Sequence, residues 1–468
     1  MGTTLPYGMV RPFTFVMSPA HAVACLLAIS VGVGYGNSIP AILMGIPGTP
    51  SAVLTVIDGH RLHRMGQSGL ALGTAFVAAL GGQLVSILLF ILLVVPLMGL
   101  AYRFLYPELF ALYLLGIVAI ISLTGANMVK GFAAAGIGLL IALIGLDPVN
   151  LTTRFTFDWR ILRSGVDLTA VLIGLLAVSE LFRSARQVFR WEAGIAGEAP
   201  AALRFPPFRS IRPAVPAMVG GTVVGTLVGA IPGAGATPAA MISYQVARMT
   251  SKRPQDFGKG SIEGIGANEA AQNASNSGEL IPTLGLGLPV SGSMVLLLAA
   301  LTVQGFVPGP LMISNAPELL YAAIAGLFAA TLFLLATGWW MARGMMKAVA
   351  LNRQVVIVLS LAMVTVGVYA INTRVLDVLV CYAAGFVGYF MLRYGYSTAA
   401  AALGVFLGRE FERSLRIGLN MNDNSYIEFF SRPITLVILL VAVALLVVGG
   451  WRQRETRRRV RAAQAAQP

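Results

Sequence analysis

Apolar runs of the length that crosses a bilayer recur along most of this 468-residue chain. At roughly 20 apolar residues per crossing, continuous runs lie near 20–35, 70–100, 108–127, 129–146, 165–182, 214–231, 318–342, 355–371, 375–392 and 432–450. The 70–100 run fits one tilted helix or two segments split near Gly81 and Gly82, whereas 396–408 is too short to span alone. With interrupted segments counted as partial spans, the pattern predicts an all-α polytopic membrane protein with about 10–12 spans.

Two apolar segments are interrupted at matching places. The segment GNSIPAILMGIPGTPSAVL (36–54) aligns without a gap with GELIPTLGLGLPVSGSMVL (278–296), 242 positions later, and eight of the aligned pairs are identical. Prolines and small residues break both copies. Because hydrophobic segments interrupted at corresponding places in two halves mark the binding site of many transporters, we predict two repeat-related broken or re-entrant segments here.

Basic loops predict the cytoplasmic side and divide the chain. Lys and Arg collect in 183–213, in 248–259 and after Trp451, and this bias places all three stretches in the cytoplasm. We therefore divide the chain into a first membrane repeat (1–182), a basic linker (183–213), a second repeat with the C-terminal spans (214–450) and a basic tail (451–468). Between the first two basic stretches, IPGAGATPAA (231–240) predicts the tip of a membrane hairpin. The alternative is one helix kinked at Pro232.

Composition agrees with the membrane class. The chain is 57% hydrophobic and 11% charged, against about 25% charged in soluble domains. Its net charge of +14 lies in short loops beside apolar runs, so we expect no nucleic-acid partner. Cys25 and Cys381 lie in apolar stretches and fit small core residues. No Cys cluster, paired catalytic carboxylates or Ser/His/Asp set stands out, so the sequence favours neither a metal centre nor an enzyme.

One predicted helix is unusually polar. In EGIGANEAAQNASNSGE (263–279), Glu269, Asn273 and Asn276 follow helical spacing and form one stripe, beside a second stripe of Asn268, Gln272 and Ser275. Such a helix is either a solvated surface helix or the lining of a water-filled path. The absence of Lys and Arg, together with many Gly, Ala and Ser residues, favours the second reading.

Broken helices and hydroxyl groups suggest an anionic organic substrate and a coupling cation. Helix N-termini favour carboxylates, and unwound carbonyls with Asn, Ser or Thr oxygens suit a sodium ion. The candidate substrate-binding residues are Asn37, Ser38, Pro47, Gly48, Thr49, Ser51, Gly233, Gly235, Thr237, Asn273, Asn276, Ser277, Thr283, Ser291 and Ser293. Glu269 and Asp58 are the coupling-ion candidates for sodium or a proton; alternatively, Asp58 ends its helix by pairing with Arg61 or Arg64. We expect no other metal and no cofactor, and we expect 47–51 and 289–293 to meet around a small polar cavity.

Three long stretches carry a family resemblance. They are YGNSIPAILMGIPGTPSAVLTVIDGHRLHRMGQSGLALG (35–73), GTLVGAIPGAGATPAAMISYQVARMTSKRPQDFGKGSIEGIGANEAAQNASNSGELIPTLGLGLPVSGS (225–293) and GFVPGPLM (305–312). These stretches resemble the large integral-membrane subunit of the tripartite tricarboxylate transporters. The resemblance implies a multi-pass subunit of the bacterial inner membrane that takes up carboxylates on a sodium or proton gradient. It also implies two partners, a small four-span membrane subunit and a periplasmic solute-binding protein.

The chain also departs from the family pattern. Gly45 stands where the family usually has Asn, and Asn268 where Pro is common, so the substrate need not be citrate. The repeat partner of Pro232 would fall ahead of Met1, so the N-terminal hairpin of the first repeat is expected to be missing, through a late-assigned start or a real truncation. The alternative functions are therefore a non-transporting scaffold or a truncated paralogue, and a membrane-embedded enzyme that uses Glu269.

Overall fold

The structure is a computed structural model, and it is almost entirely helical where it is described. It describes residues 6, 17–45, 49–101, 104–124, 128–147, 152–159, 162–163, 165–190, 204–232, 234–306, 309, 312–348 and 353–465. The first part of the chain forms α1 (Pro19–Gly36), α2 (Ser38–Met44), a 3₁₀ turn (Pro50–Ala52), α3 (53–64, with a π-helical turn at Val56–His60), α4 (Ser68–Ala101), α5 (Tyr106–Thr124), α6 (Met128–Ala142) and α7 (168–190, with a π-helical turn at Gly174–Val178).

The second part is helical as well. It forms α8 (Phe208–Gly229), α9 (Ala236–Thr250), α10 (Ile262–Leu286), α11 (Gly292–Val303), α12 (Met312–Asn315), α13 (Pro317–Ala348), α14 (Arg353–Asn372), α15 (Val375–Arg393), α16 (Thr398–Met421), α17 (Tyr426–Ser431) and α18 (Pro433–Ala465). The described strands, β1 (Gly145–Leu146) and β2 (Thr153–Arg154), form a short antiparallel hairpin between α6 and α7.

The apolar helices confirm the prediction of an all-α polytopic membrane protein. Among the described residues, seven helices are long and apolar enough to cross a membrane, and four more are shorter but apolar. The 70–100 run is the single helix α4 rather than two segments. The segment judged too short to span alone, 396–408, is the first half of α16. That helix runs on through charged residues to Met421, and hydropathy could not reveal this continuation.

The polar helix α10 lies at the centre of the molecule. Nearly every residue from Gly264 to Gly285 is buried, because α4, α8 and α9 pack along it. This excludes the solvated surface helix. The apolar helices surround α10, so its amide, hydroxyl and carboxyl groups lie inside the protein and away from lipid, as polar groups within membrane proteins require.

Small residues permit the closest of these contacts. Gly221, Gly225 and Gly229 recur on one face of α8 and meet the backbone of α10; a Cβ on Gly225 would lie 2.4 Å from the carbonyl oxygen of Ala271. On α4, a Cβ on Gly82 would lie 2.5 Å from the carbonyl oxygen of Ala270. Glycines at such spacing let helix backbones approach closely in membranes. They therefore explain the high glycine content along these helices.

The chain reverses direction between α8 and α9. Both helices pack against each other and against α10, and Gly235, just ahead of α9, has φ +64°. A single helix kinked at Pro232 is therefore excluded, and the two arms form a helical hairpin. The described residues 231, 232 and 234–237 belong to its tip.

The two sequence copies end their helices in the same way. α2 ends at Gly45 with φ +67° and ψ +20°, and its amide donates to the carbonyl of Pro40. α10 ends at Gly287 with φ +71° and ψ +19°, and its amide donates to the carbonyl of Pro282. A left-handed residue at this place favours glycine and ends a helix. The repeated sequence thus encodes a repeated helix stop.

Candidate functional site

A cavity of about 260 Å³, lined by polar and small or apolar residues, lies where both broken segments meet the hairpin tip. Its lining residues are Ser30, Gly34, Asn37, Thr49, Ser51, Ile120, Ala234, Gly235, Ala236, Thr237, Gln272, Asn276, Glu279, Val290, Ser291, Gly292, Ser293, Met294 and Ala399. This volume is just below the usual range of about 300–1,000 Å³ for ligand sites, so the cavity suits a small molecule. The structure thus brings 49–51 and 290–294 to one cavity.

The cavity wall follows the internal repeat. Five positions of the first copy and their partners 242 residues later all line it, and these pairs are Ser30/Gln272, Gly34/Asn276, Asn37/Glu279, Thr49/Ser291 and Ser51/Ser293. The 242-residue relation therefore reaches further toward the N-terminus than the aligned segments 36–54 and 278–296. Both halves of the chain therefore contribute residues at equivalent positions to the wall of one cavity.

Residues at three helix N-termini line the cavity. The hydroxyl of Thr49 accepts from the amide of Ala52 (3.3 Å), where the 3₁₀ turn leads into α3. At the equivalent place, the hydroxyl of Ser291 accepts from the amide of Met294 (3.4 Å) and caps α11. The start of α9 at Gly235 supplies the third. Helix N-termini carry partial positive charge and free amide groups, so the wall can hold an anion without Lys or Arg.

Glu279 is the charged residue among these lining residues, and it lies in the second copy. The hydroxyl of Ser291 donates to its carboxylate at 2.6 Å. Asn37 occupies the equivalent place in the first copy. The cavity is therefore nearly symmetric in position but not in charge.

The model of a family described as the tripartite tricarboxylate transporter TctA family matches residues 1–403. The chain belongs to this family. An uncharacterized 52.8 kDa protein in the TAR-I ttuC' 3'region of Agrobacterium vitis is 32% identical over 448 residues, which cover 96% of this chain and 89% of that protein. An uncharacterized protein in the TAR-II ttuC' 3'region of the same organism is 31% identical over 226 residues, covering 48% of this chain and 93% of that protein. No solved structure matches the chain.

Within this TctA-family chain, Glu269 lies behind the cavity and does not line it. Its carboxylate is fully buried, accepts from the hydroxyl of Ser38 at 2.5 Å, and also accepts from the hydroxyl of Thr55. The side-chain amide of Asn268 donates to Thr55 at 2.6 Å. These contacts tie α2 and α3 of the first copy to α10 of the second.

Buried acceptor oxygens without a partner lie on α10 close in sequence to Glu269. The side-chain oxygens of Asn268, Gln272 and Asn273 are buried without a hydrogen-bond partner, although such groups in proteins are nearly always paired. Carboxylate and amide oxygens are ligands for hard cations, so this part of α10 has the donor chemistry for a small cation. No group of three or more His, Cys, Asp or Glu side chains suited to a metal occurs among the described residues.

Asp58 holds a loop in place. Its carboxylate accepts from the hydroxyl of Tyr244 (2.7 Å) and from the amides of Gly260 and Ser261 (2.9 Å each). The predicted pairing with Arg61 or Arg64 is wrong, because no ion pair joins Asp58 to either residue. The guanidinium of Arg61 instead donates to the carbonyl of Gly258 at 2.8 Å. Asp58 thereby fixes the loop that leads into α10.

The structure separates the predicted binding residues into two groups. Asn37, Thr49, Ser51, Gly235, Thr237, Asn276, Ser291 and Ser293 line the cavity. Ser38, Asn273, Ser277 and Thr283 are buried away from it. Ser277 bonds to Gln83 and Ser86 of α4, and Thr283 donates to carbonyls of its own segment. Pro47, Gly48 and Gly233 lie outside the described residues.

Sequence reasoning missed three polar wall positions and the glycine that is the repeat partner of Asn276. These are Ser30, Gly34, Gln272 and Glu279. Glu279 and Gln272 are present in the polar segment, and the 242-residue spacing relates Glu279 to Asn37, so this signal was available. Nothing local in the sequence distinguishes Glu279 from Glu269, because both lie in the same small-residue helix.

A larger groove of about 670 Å³ lies on the other face of α1, against α13. Its wall is mostly Ala, Gly, Leu, Ile and Phe, with few polar groups. It lacks the converging donors and helix ends that orient a charged ligand. The smaller cavity is therefore the candidate site.

Proposed function

We propose that this chain is the membrane-embedded translocation subunit of a tripartite secondary transporter that takes up tricarboxylates or other carboxylates. The observation that supports this proposal is the shared cavity with three helix N-termini and five repeat-related pairs of lining residues. Carboxylates bind well at helix N-termini, and broken segments related by a repeat are the usual setting of transporter sites.

Transport in this proposal runs on a sodium or proton gradient. Glu269 and Asp58 remain the candidates for coupling, and the two differ in their surroundings. Glu269 has unpaired amide oxygens near it on α10, which favours a cation there. Asp58 accepts three hydrogen bonds from the protein, two of them from backbone amides, so its surroundings favour a structural role.

The proposal includes two partner proteins and an orientation of this chain in the membrane. A small four-span membrane subunit and a periplasmic solute-binding protein complete the system in the bacterial inner membrane. The linker 183–213 and the tail 451–468 face the cytoplasm, and the first repeat (1–182) moves against the second (214–450) in alternating access. Family membership and the Lys and Arg bias of the loops support these proposals.

Uptake of labelled citrate, succinate and benzoate into cells that carry the chain and its neighbouring subunit genes tests the proposal. We expect alanine at Asn37, Glu269 or Asn273 to abolish uptake without loss of membrane insertion, measured by immunoblot of the membrane fraction. Asn420→Ala, exposed on α16, is the matched control and should retain uptake. Normal uptake in all three test variants would show that the site is elsewhere, and no uptake by the wild-type system would favour the scaffold.

A further inference from the structure

Glu279 has an unusual place in the wall of the cavity. Its side chain is 6% exposed, and it accepts from the hydroxyl of Ser291. Its other oxygen faces the hairpin tip, because a Cβ on Gly235 would lie 3.6 Å from Oε1. The carboxyl group therefore lies between the N-termini of α9 and α11, where an anionic substrate would be held.

Among the described residues that line the cavity, none has a positive side chain that could balance this carboxylate. The described residues of α2, α4 and α11 carry no charged group. The titratable or charged groups on the other elements packed against α10 are His21, Cys25 and Tyr35 on α1, those of 58–64 on α3, Arg209 and Arg212 on α8, and Tyr244 and Arg248 on α9. None of these lines the cavity. Glu269 is ten positions away on α10, which corresponds to about 15 Å along a helix.

An ionised Glu279 would repel the substrate that the helix ends attract. Two like charges at close range in a poorly solvated cavity disfavour each other, and protonation of one removes the repulsion. A neutral carboxylic acid also changes from an acceptor into a hydrogen-bond donor. It then resembles Asn37, whose amide offers donors at the equivalent place in the first copy.

We propose that Glu279 binds a proton together with the carboxylate substrate, so that the cavity accepts the anion only while Glu279 is neutral. This inference rests on the proposed transport function and assigns one residue to the coupling step. The proton enters with the anion from one side and leaves Glu279 when the anion is released on the other. Asn37 supplies the fixed neutral half of the site, and Glu279 supplies the half that responds to pH.

Carbodiimide labelling tests proton binding without any substrate. Dicyclohexylcarbodiimide reacts with protonated carboxyl groups in apolar surroundings, and mass spectrometry of the purified full-length chain locates the adduct. We expect an adduct on Glu279 that falls about tenfold for each pH unit above its pKa and is absent in Glu279→Gln. Glu263→Gln, in the first turn of the same helix, should leave it in place. No adduct at Glu279 at any pH, a pH-independent adduct, or one that sodium suppresses at constant pH would each overturn the proposal.

Transport assays give the second readout. We expect Glu279→Gln to reduce accumulation of labelled citrate, succinate or benzoate about tenfold or more, because gradient-driven uptake needs the proton. Exchange of internal for external substrate should fall far less, because it needs only a neutral side chain, and it should lose its pH dependence. Equal loss of accumulation and exchange, scaled to the amount of protein, would indicate a structural role. If the wild-type system takes up none of the probes, the proposed function fails for them while the labelling still decides the role of Glu279.

Discussion

The close packing of α8 against α10 predicts that even alanine at Gly225 lowers the stability of the protein. A Cβ at this position would lie 2.4 Å from the carbonyl oxygen of Ala271 and 2.6 Å from its Cα, whereas ordinary contacts begin at 3.4 Å. Gly225→Ala must therefore push two helix backbones apart by about 1 Å, since neither atom belongs to a flexible side chain. Overpacking of this kind costs about 1–3 kcal/mol.

Gly220 provides the matched control on the same helix. A Cβ there meets nothing within 4 Å, so Gly220→Ala changes helix propensity without changing packing. Both variants gain about 1 kcal/mol from that propensity, and the gain cancels in their comparison. We therefore expect Gly225→Ala to be about 1–3 kcal/mol less stable than Gly220→Ala.

Unfolding in mixed micelles, titrated with a denaturing detergent and followed by circular dichroism, measures this difference. Uptake should fall with stability in Gly225→Ala, because α8 carries the hairpin whose tip lines the cavity. Gly221→Ala should behave similarly, because its Cβ would lie 2.4 Å from the carbonyl oxygen of Ala267. Equal unfolding free energies for the Gly220 and Gly225 variants would refute the close approach of the two helices.

Two further predictions concern polar contacts outside the cavity. Tyr244→Phe removes the hydroxyl donor to buried Asp58 and should lower the unfolding free energy by about 1.5–3 kcal/mol; unchanged stability in the same titration would argue against that bond. Arg154 binds Glu412 through two nitrogens at 2.9 Å each, and this hydrogen bonding raises the pKa of the guanidinium. Arg154→Lys cannot form this two-nitrogen contact and should lower the unfolding free energy by about 1.5–3 kcal/mol. Arg183→Lys, in an exposed pair, should lower it by only about 0–1 kcal/mol. Equal losses in the two lysine variants would contradict this.

The sequence predicts the membrane spans and the helix ends and turns marked by Gly or Pro well. Apolar runs give the spans because lipid imposes their length, and the glycine at each helix end gives the repeated stop because few other residues adopt its backbone angles. The reversal at 231–240 follows from Pro and Gly in the same way. These features depend on local chemistry, and local chemistry is what a single sequence displays.

For the same reason, the sequence does not predict which residues far apart in the chain form hydrogen bonds with each other. Asp58 was expected to bind Arg61 or Arg64 because they are near in sequence, yet its donors come from Tyr244 and from the loop before α10, about 200 positions away. The bonds that bury Ser277 against α4 likewise depend on which helices meet. Burial of α10 stayed ambiguous because a polar helix can be solvated or enclosed, and only its neighbours decide.

The internal repeat places equivalent residues around the cavity. The positions at which the two copies differ make its two halves chemically different. Asn276 is the repeat partner of Gly34, and Glu279 is the repeat partner of Asn37. The second copy therefore supplies the larger polar group in both pairs. The N-terminus of α9 also lies in the second half of the chain. The titratable carboxyl and the additional helix N-terminus therefore both come from the second half of a site that is otherwise repeated. In the proposal that Glu279 binds a proton, the binding energy of a carboxylate in this cavity therefore depends on the charge of a residue that only the second copy supplies.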